Sequence, residues 1–260
     1  MTAGQTGRVS HPPRAVQLSP IFLLLVAITV CGGFLATLAN RVALTAGVVL
    51  LVLGGWAISL CLHEFGHAFL ALRGGDSSVE NRGYLTLDIR RYVNPMLSFG
   101  LPLLFLLAGG IPLPGGTVWI NRWAIASRLR RSMVSLAGPL INLVLGVALA
   151  TVATRLAMPV GLLVGLSYLA LIQVLAFLLN VLPVPGLDGF GALEPYLSEP
   201  VRELGDKIRP WAPLAFFVLL IGVPGVAVAL FEIGQGLFAG LGGDPTAAGA
   251  GYSVFTFWRR

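Results

Sequence analysis

The chain predicts an all-α polytopic membrane protein of about five to six transmembrane helices, with a small membrane-associated β element and a re-entrant segment. Three observations carry this. Hydrophobic residues make up 56% of the 260 residues and charged residues 11%, with a mean hydropathy of +0.87; a soluble domain carries about a quarter charged residues. Apolar runs close to or above the roughly 20 residues needed to cross a bilayer recur along the chain. The arginines gather in a few connections, as they do where cytoplasmic loops hold positive charge.

Residues 1–19 are polar and contain proline, and the apolar run behind them is long enough to span. They read as a cytoplasmic tail ahead of a first anchor rather than as a cleavable leader. That first span runs from about Pro20 to Ala39; Asn40 and Arg41 turn the chain into a second, from about Ala43 to Leu72. The second is longer than a crossing needs, so it tilts or projects beyond the hydrocarbon. In the polar connection 73–94, GYLTLDIRRYV alternates apolar and polar side chains, the pattern of a half-buried strand.

The apolar run Pro95–Leu113 is broken by Pro102 and by Gly109–Gly110. Arg73, Arg82, Arg90 and Arg91 precede it, and Arg122, Arg128, Arg130 and Arg131 come after it. A single crossing would put one group on the wrong side, which favours a re-entrant or half-inserted hairpin over a full span, followed by a short strand at Thr117–Asn121. A third full span, about Ser132–Thr154, contains AGPLINL; a fourth, about Val160–Leu182, ends in NVLPVPGLDG. Residues 183–210, with five acids and three bases, read as a solvated loop or short helix. Trp211–Leu241 is interrupted by Gly222, Pro224 and Gly225 and is either one long span or a tight hairpin of two. Residues 20–241 therefore form a single membrane-embedded domain, and 242–260 a short tail whose FTFWRR ending suits a membrane interface.

Arginine counting sets the orientation. The 73–131 region holds eight arginines and the N-terminal tail has Arg8 and Arg14, whereas the turns at 40–42 and 155–159 have one each. The tail and the 73–131 region are thus expected on the cytoplasmic side of a cell membrane, and the composition suggests a bacterial source. The net charge of +6, with Lys207 the only lysine, is explained by loops and anionic lipid without a nucleic-acid partner. Cys31 and Cys61 fall in apolar spans and read as small core residues rather than a disulfide or ligands.

Chemistry concentrates at HEFGH. His63 and His67 lie four residues apart and so share one helix face, where two imidazoles can hold one zinc ion, with Glu64 placed to activate a water. Inside an apolar span such an ionisable cluster is costly and points to function rather than packing. The expected topology brings the ends of the second and fourth spans to similar depth on the cytoplasmic side. Asp188, on the Gly-flanked turn GLDG, then supplies the carboxylate that zinc hydrolases commonly add to two histidines. Glu232, the remaining membrane-depth acid, reads as a local hydrogen-bonding group near an interface in preference to the lining of a water path or gate.

HEFGH on one helix, AGPLINL on a later one and N-x-x-P-x-P-x-L-D-G closing the next resemble the site-2 protease family of intramembrane zinc metalloproteases, over about residues 43–190. The resemblance implies one Zn²⁺ per chain held by His63, His67 and Asp188, with Glu64 as catalytic base. It maps the motif asparagine to Asn180, as a group that binds substrate or stabilises the oxyanion. An amide there can equally make an interhelical hydrogen bond with no chemistry. Asn142 reads as structural, with Gly138 and Pro139 giving close packing and a local bend. The family also places a β-sheet after the HExxH helix, which makes GYLTLDIRRYV a candidate for docking an extended substrate. The length fits a minimal member without PDZ or CBS module. The substrate implied is a membrane protein with a transmembrane segment, cleaved within or beside it in the bilayer. The alternative is a metal-ion transporter or zinc-binding sensor using the same ligands. Transport would want polar residues along a whole path, and the chain offers one tight cluster.

Overall fold

The computed structural model describes residues 18–92 and 118–259. The expected re-entrant run 95–113 lies outside them. Helix α1 (Pro20–Ala36) starts where Ser19 caps it, its hydroxyl oxygen accepting from the Phe22 amide at 3.0 Å while its own proton goes to the Leu87 carbonyl at 2.9 Å. It stops short of the expected Ala39 because Asn40 already caps the next helix, accepting from the amides of Val42 and Ala43. Helix α2 (Arg41–Gly74) has 34 residues, roughly 51 Å at the α-helical rise, well beyond a hydrocarbon thickness of about 30 Å. It ends at Gly75, whose φ of 116° suits glycine alone at the left-handed cap. The α1–α2 hairpin is tight: a Cβ on Gly32 would collide with the Leu51 backbone, and one on Gly47 with that of Ala36.

Two short helical turns, α3 (Ser78–Asn81) and α4 (Ile89–Tyr92), occupy the next connection. The expected strand over GYLTLDIRRYV is therefore corrected: among these residues only Thr86 makes an isolated bridge, between a turn at 82–85 and α4. Local hydrogen bonds override the alternating pattern. The Thr86 hydroxyl donates to the Gly83 carbonyl, and the Asp88 carboxylate accepts from the Arg90 amide, curling the backbone at both places. Val118–Asn121 likewise form no strand and lead into a single 3₁₀ turn at Arg122–Ala124. Asp76, buried just past α2, joins the two connections: its carboxylate accepts from the Ser78 amide and hydroxyl and from the Asn121 amide at 2.7 Å.

Helix α5 (Arg128–Arg155) carries Pro139 in its interior, and α6 (Val160–Asn180) is the most enclosed helix, packing against α2 and α5. Then come α7 (Asp188–Leu193) and α8 (Glu199–Ile208). The run from Trp211 resolves into α9 (Ala212–Gly222) and α10 (Pro224–Gly240), bent by 91° where Pro224 excludes helical backbone at Val223. The last residues are not only a polar tail. Helix α11 (Pro245–Phe255) packs on α6, with Gly251 against the Val164 carbonyl and Phe255 buried beside Tyr168. Cys61 is buried in the core, whereas Cys31 is exposed on α1, and Glu232 is exposed on α10.

The protein is an all-α polytopic membrane protein. Among the described residues, α2, α5 and α6 are long and apolar enough to cross a membrane, the bent pair α9–α10 reaches that length only when its two helices are taken together as one broken span, and α1 is a shorter apolar helix.

Candidate metal centre

The last third of α2 is held between α5 and the α6–α7 turn, and HEFGH lies at that crossing. His63, Glu64 and His67 are 6%, 3% and 6% exposed, so none keeps bulk water as its partner. Helix α5 runs antiparallel to α2 and offers one stripe, Val134, Gly138 and Asn142, at i, i+4 and i+8. The stripe meets the histidines in register. The Nδ1–H of His63 donates to the Asn142 side-chain oxygen at 3.0 Å, and that of His67 to the Val134 carbonyl at 2.7 Å. With Nδ1 carrying the proton, each Nε2 presents a lone pair. Between the two stands Gly138, where a Cβ would collide with both Nε2 atoms.

Asp188 arrives from α6. Gly186, at φ 98°, lets the chain reverse, and Gly189 packs so closely on the Val181 carbonyl that a side chain there would collide. The turn is anchored to α5, since the Ser132 hydroxyl donates to the Ala192 carbonyl at 2.6 Å. Asp188 Oδ2 thereby lies 3.2 Å from His63 Nε2 and 3.4 Å from His67 Nε2, while the two Nε2 atoms are 3.1 Å apart. Oδ2 is buried with no hydrogen-bond partner. Three acceptor atoms facing one another are mutually repulsive unless a cation lies among them. Their separations match the roughly 3.3 Å edge of a tetrahedron with metal–ligand bonds of about 2.0–2.1 Å. The donor set, two imidazoles and one carboxylate, fits zinc and leaves one tetrahedral position open. Among the described residues this is the one group of three such side chains that could hold a metal ion.

The structure thus brings His63, His67 and Asp188 together, with Glu64 beside His63 and the Val118 backbone facing its carboxylate. Asn180 is buried at the last turn of α6, and its side-chain N–H donates to the Ala176 carbonyl at 3.0 Å, a bond within its own helix. Asn142 is the residue whose role the sequence understates: its interhelical bond is made to a histidine of the centre. The available signal was the four-residue spacing of Gly138 and Asn142, equal to that of the two histidines.

A bundle of apolar helices closed around two imidazoles and a carboxylate defines a membrane-embedded metalloprotein with a hydrolase donor set. Known proteins narrow this class. The chain is 45% identical over 249 residues to a Mycobacterium tuberculosis protein provisionally named zinc metalloprotease Rip2, covering 94% of this chain and 95% of the relative. It is 44% identical over 250 residues to Rip2 of Mycolicibacterium smegmatis, covering 94% and 96%. It is 30% identical over 176 residues to a Bacillus subtilis protein provisionally named zinc metalloprotease YwhC, covering 63% and 77%. No family profile and no solved structure matches. The chain belongs to the site-2 protease family of zinc metalloproteases.

Proposed function

We propose that the protein is an intramembrane protease that hydrolyses peptide bonds in or near the transmembrane segments of membrane-protein substrates. The observation that carries this reading is the convergence of three unshared acceptor atoms inside the helical bundle, at the end of a spanning helix. His63, His67 and Asp188 are the ligands in this reading. Bound zinc would supply Lewis-acid polarisation of the scissile carbonyl and a lowered pKa for the attacking water.

The rest is the work of the chain. Asn142 and the Val134 carbonyl hold both imidazoles in one tautomer and one orientation. Glu64 accepts the proton of the attacking water at its carboxylate and hands it to the leaving amine. Asn180 donates the second proton of its amide nitrogen to the oxyanion, the first being held by Ala176. Burial of the centre excludes bulk water, and a substrate helix must unwind locally, because its amides are otherwise closed in internal hydrogen bonds. The arginine distribution supports a cytoplasmic N-terminus and a centre near the cytoplasmic face of a bacterial cell membrane.

The test is cleavage of a single-span substrate in proteoliposomes by the wild type and by Glu64→Gln, with zinc content measured in both. The Gln variant should keep zinc and lose activity by roughly 10²–10⁴-fold. Equal cleavage by both proteins, or cleavage that survives removal of zinc by a chelator, overturns the reading.

A further inference from the structure

Helix α8 stands apart from the catalytic reading. Val201, Leu204 and Ile208 lie on one side of it and are 44%, 56% and 40% exposed. Arg202, Glu203, Asp206 and Lys207, all exposed, occupy the other side. Apolar exposure does not stop at the helix end. Trp211, 69% exposed, makes the turn into α9, where Leu214 and Val218 continue the surface at 53% and 59%. The apolar arc of α8 thus leads along the chain into the outer surface of α9, part of an apolar helix pair suited to the membrane as a broken span or a re-entrant loop.

A contiguous apolar strip of this kind is not a water-facing surface. A helix with one apolar and one strongly charged arc, flanked by a tryptophan, is suited to lie in the plane of a bilayer surface. Its charges carry no basic excess, Arg202 and Lys207 standing against Glu199, Glu203 and Asp206, so apolar insertion rather than attraction to anionic lipid would hold it there. The helix is also tied to the metal centre. Gly205 packs on the ring of Phe190, two residues beyond Asp188, and a Cβ there would collide with that ring. Glu194, at the end of the same turn, pairs with Arg209 at 2.8 Å and with Arg122.

We infer that α8 is an in-plane anchor, docked by Val201, Leu204 and Ile208 into the headgroup–acyl boundary on the side of the membrane where Asp188 sits, and that it steadies the Asp188 turn through Phe190 and Glu194. The partner is the lipid surface itself.

The experiment uses the full chain with both cysteines replaced (Cys31→Ser, Cys61→Ala) and single spin labels at Val201→Cys, Leu204→Cys, Glu203→Cys and Asp206→Cys. It is reconstituted in phosphatidylcholine vesicles with and without phosphatidylglycerol. Oxygen should collide preferentially with labels 201 and 204, and a water-soluble nickel chelate with 203 and 206, in both compositions. Aqueous access on both faces overturns the proposal. So does exclusion of both quenchers from 201 and 204, which would mean that protein covers them, or docking that needs the anionic lipid. In an otherwise native chain, Leu204→Asp should weaken zinc retention severalfold in vesicles while Leu204→Phe retains it; equal retention overturns the link to Asp188. The zinc arm rests on the proposed ligand set and the quenching arm does not, so the two fail separately.

Discussion

Each imidazole of the centre uses both of its nitrogens, one toward α5 and one toward the proposed metal. This makes Asn142 the sharpest residue-level test. Asn142→Leu removes the acceptor that fixes the His63 ring and should lower zinc affinity roughly 10–100-fold, measured by competition with a chromogenic chelator. Asn142→Asp keeps an acceptor at the same place and should recover most of that loss. Gly138→Ala tests space rather than polarity. Its methyl group has nowhere to go except into both Nε2 atoms, so it should abolish zinc binding while the helices still form by circular dichroism.

At the scale of the element, the C-terminal end of α2 is fixed by the segment just beyond it. Asp76 satisfies three donors there and links the helix end to the Asn121 connection. Asp76→Ala leaves those donors without their acceptor and should cost about 2 kcal/mol, read as a fall in the unfolding midpoint in detergent. The neighbouring connection carries a pH dependence. Hydrogen bonds from the Arg90 guanidinium and amide hold the Asp88 carboxyl below the usual carboxylate range. A folded-state value below the unfolded value of about 3.9 means that this contribution is complete above that pH. It is lost as the pH falls through the lower, folded value. Asp88→Asn should therefore flatten the acid side of the stability profile and leave its neutral and alkaline sides unchanged in shape.

For the whole molecule, the centre couples elements that are distant in sequence, since α2, α5 and the α6–α7 turn meet at a single point. Metal binding should therefore stabilise the bundle as a unit. Saturating zinc should raise the thermal midpoint of metal-free protein, by about 2.7 kcal/mol of stability at 100 times the dissociation constant. Asp188→Ala should remove most of that increment, because it leaves two ligands on one helix. An equal zinc-induced shift in wild type and variant would take Asp188 out of the ligand set.

The sequence by itself determined the membrane class, the positions of α2, α5 and α6, and the residues of HEFGH and GLDG that converge. The apolar runs and the four-residue spacing of HEFGH depend only on helix geometry and on the cost of bare polar groups in lipid, whereas Asp188 followed from the matched depth of two span ends and from the family resemblance. The tertiary structure decided the remainder. Alternation over GYLTLDIRRYV suggested a strand, but side-chain hydrogen bonds at Thr86 and Asp88 curled it, a local competition that periodicity does not register. Trp211–Leu241 became two helices because Pro224 constrains the backbone before it, although its composition suited one span equally well. Asn142 read as packing until the antiparallel register of α5 on α2 set it against His63. Which side chains face one another across two helices depends on rotation and offset. Those are set by close contacts such as Gly66 against Ile141 and Gly138 against the imidazoles, which only the folded chain brings together.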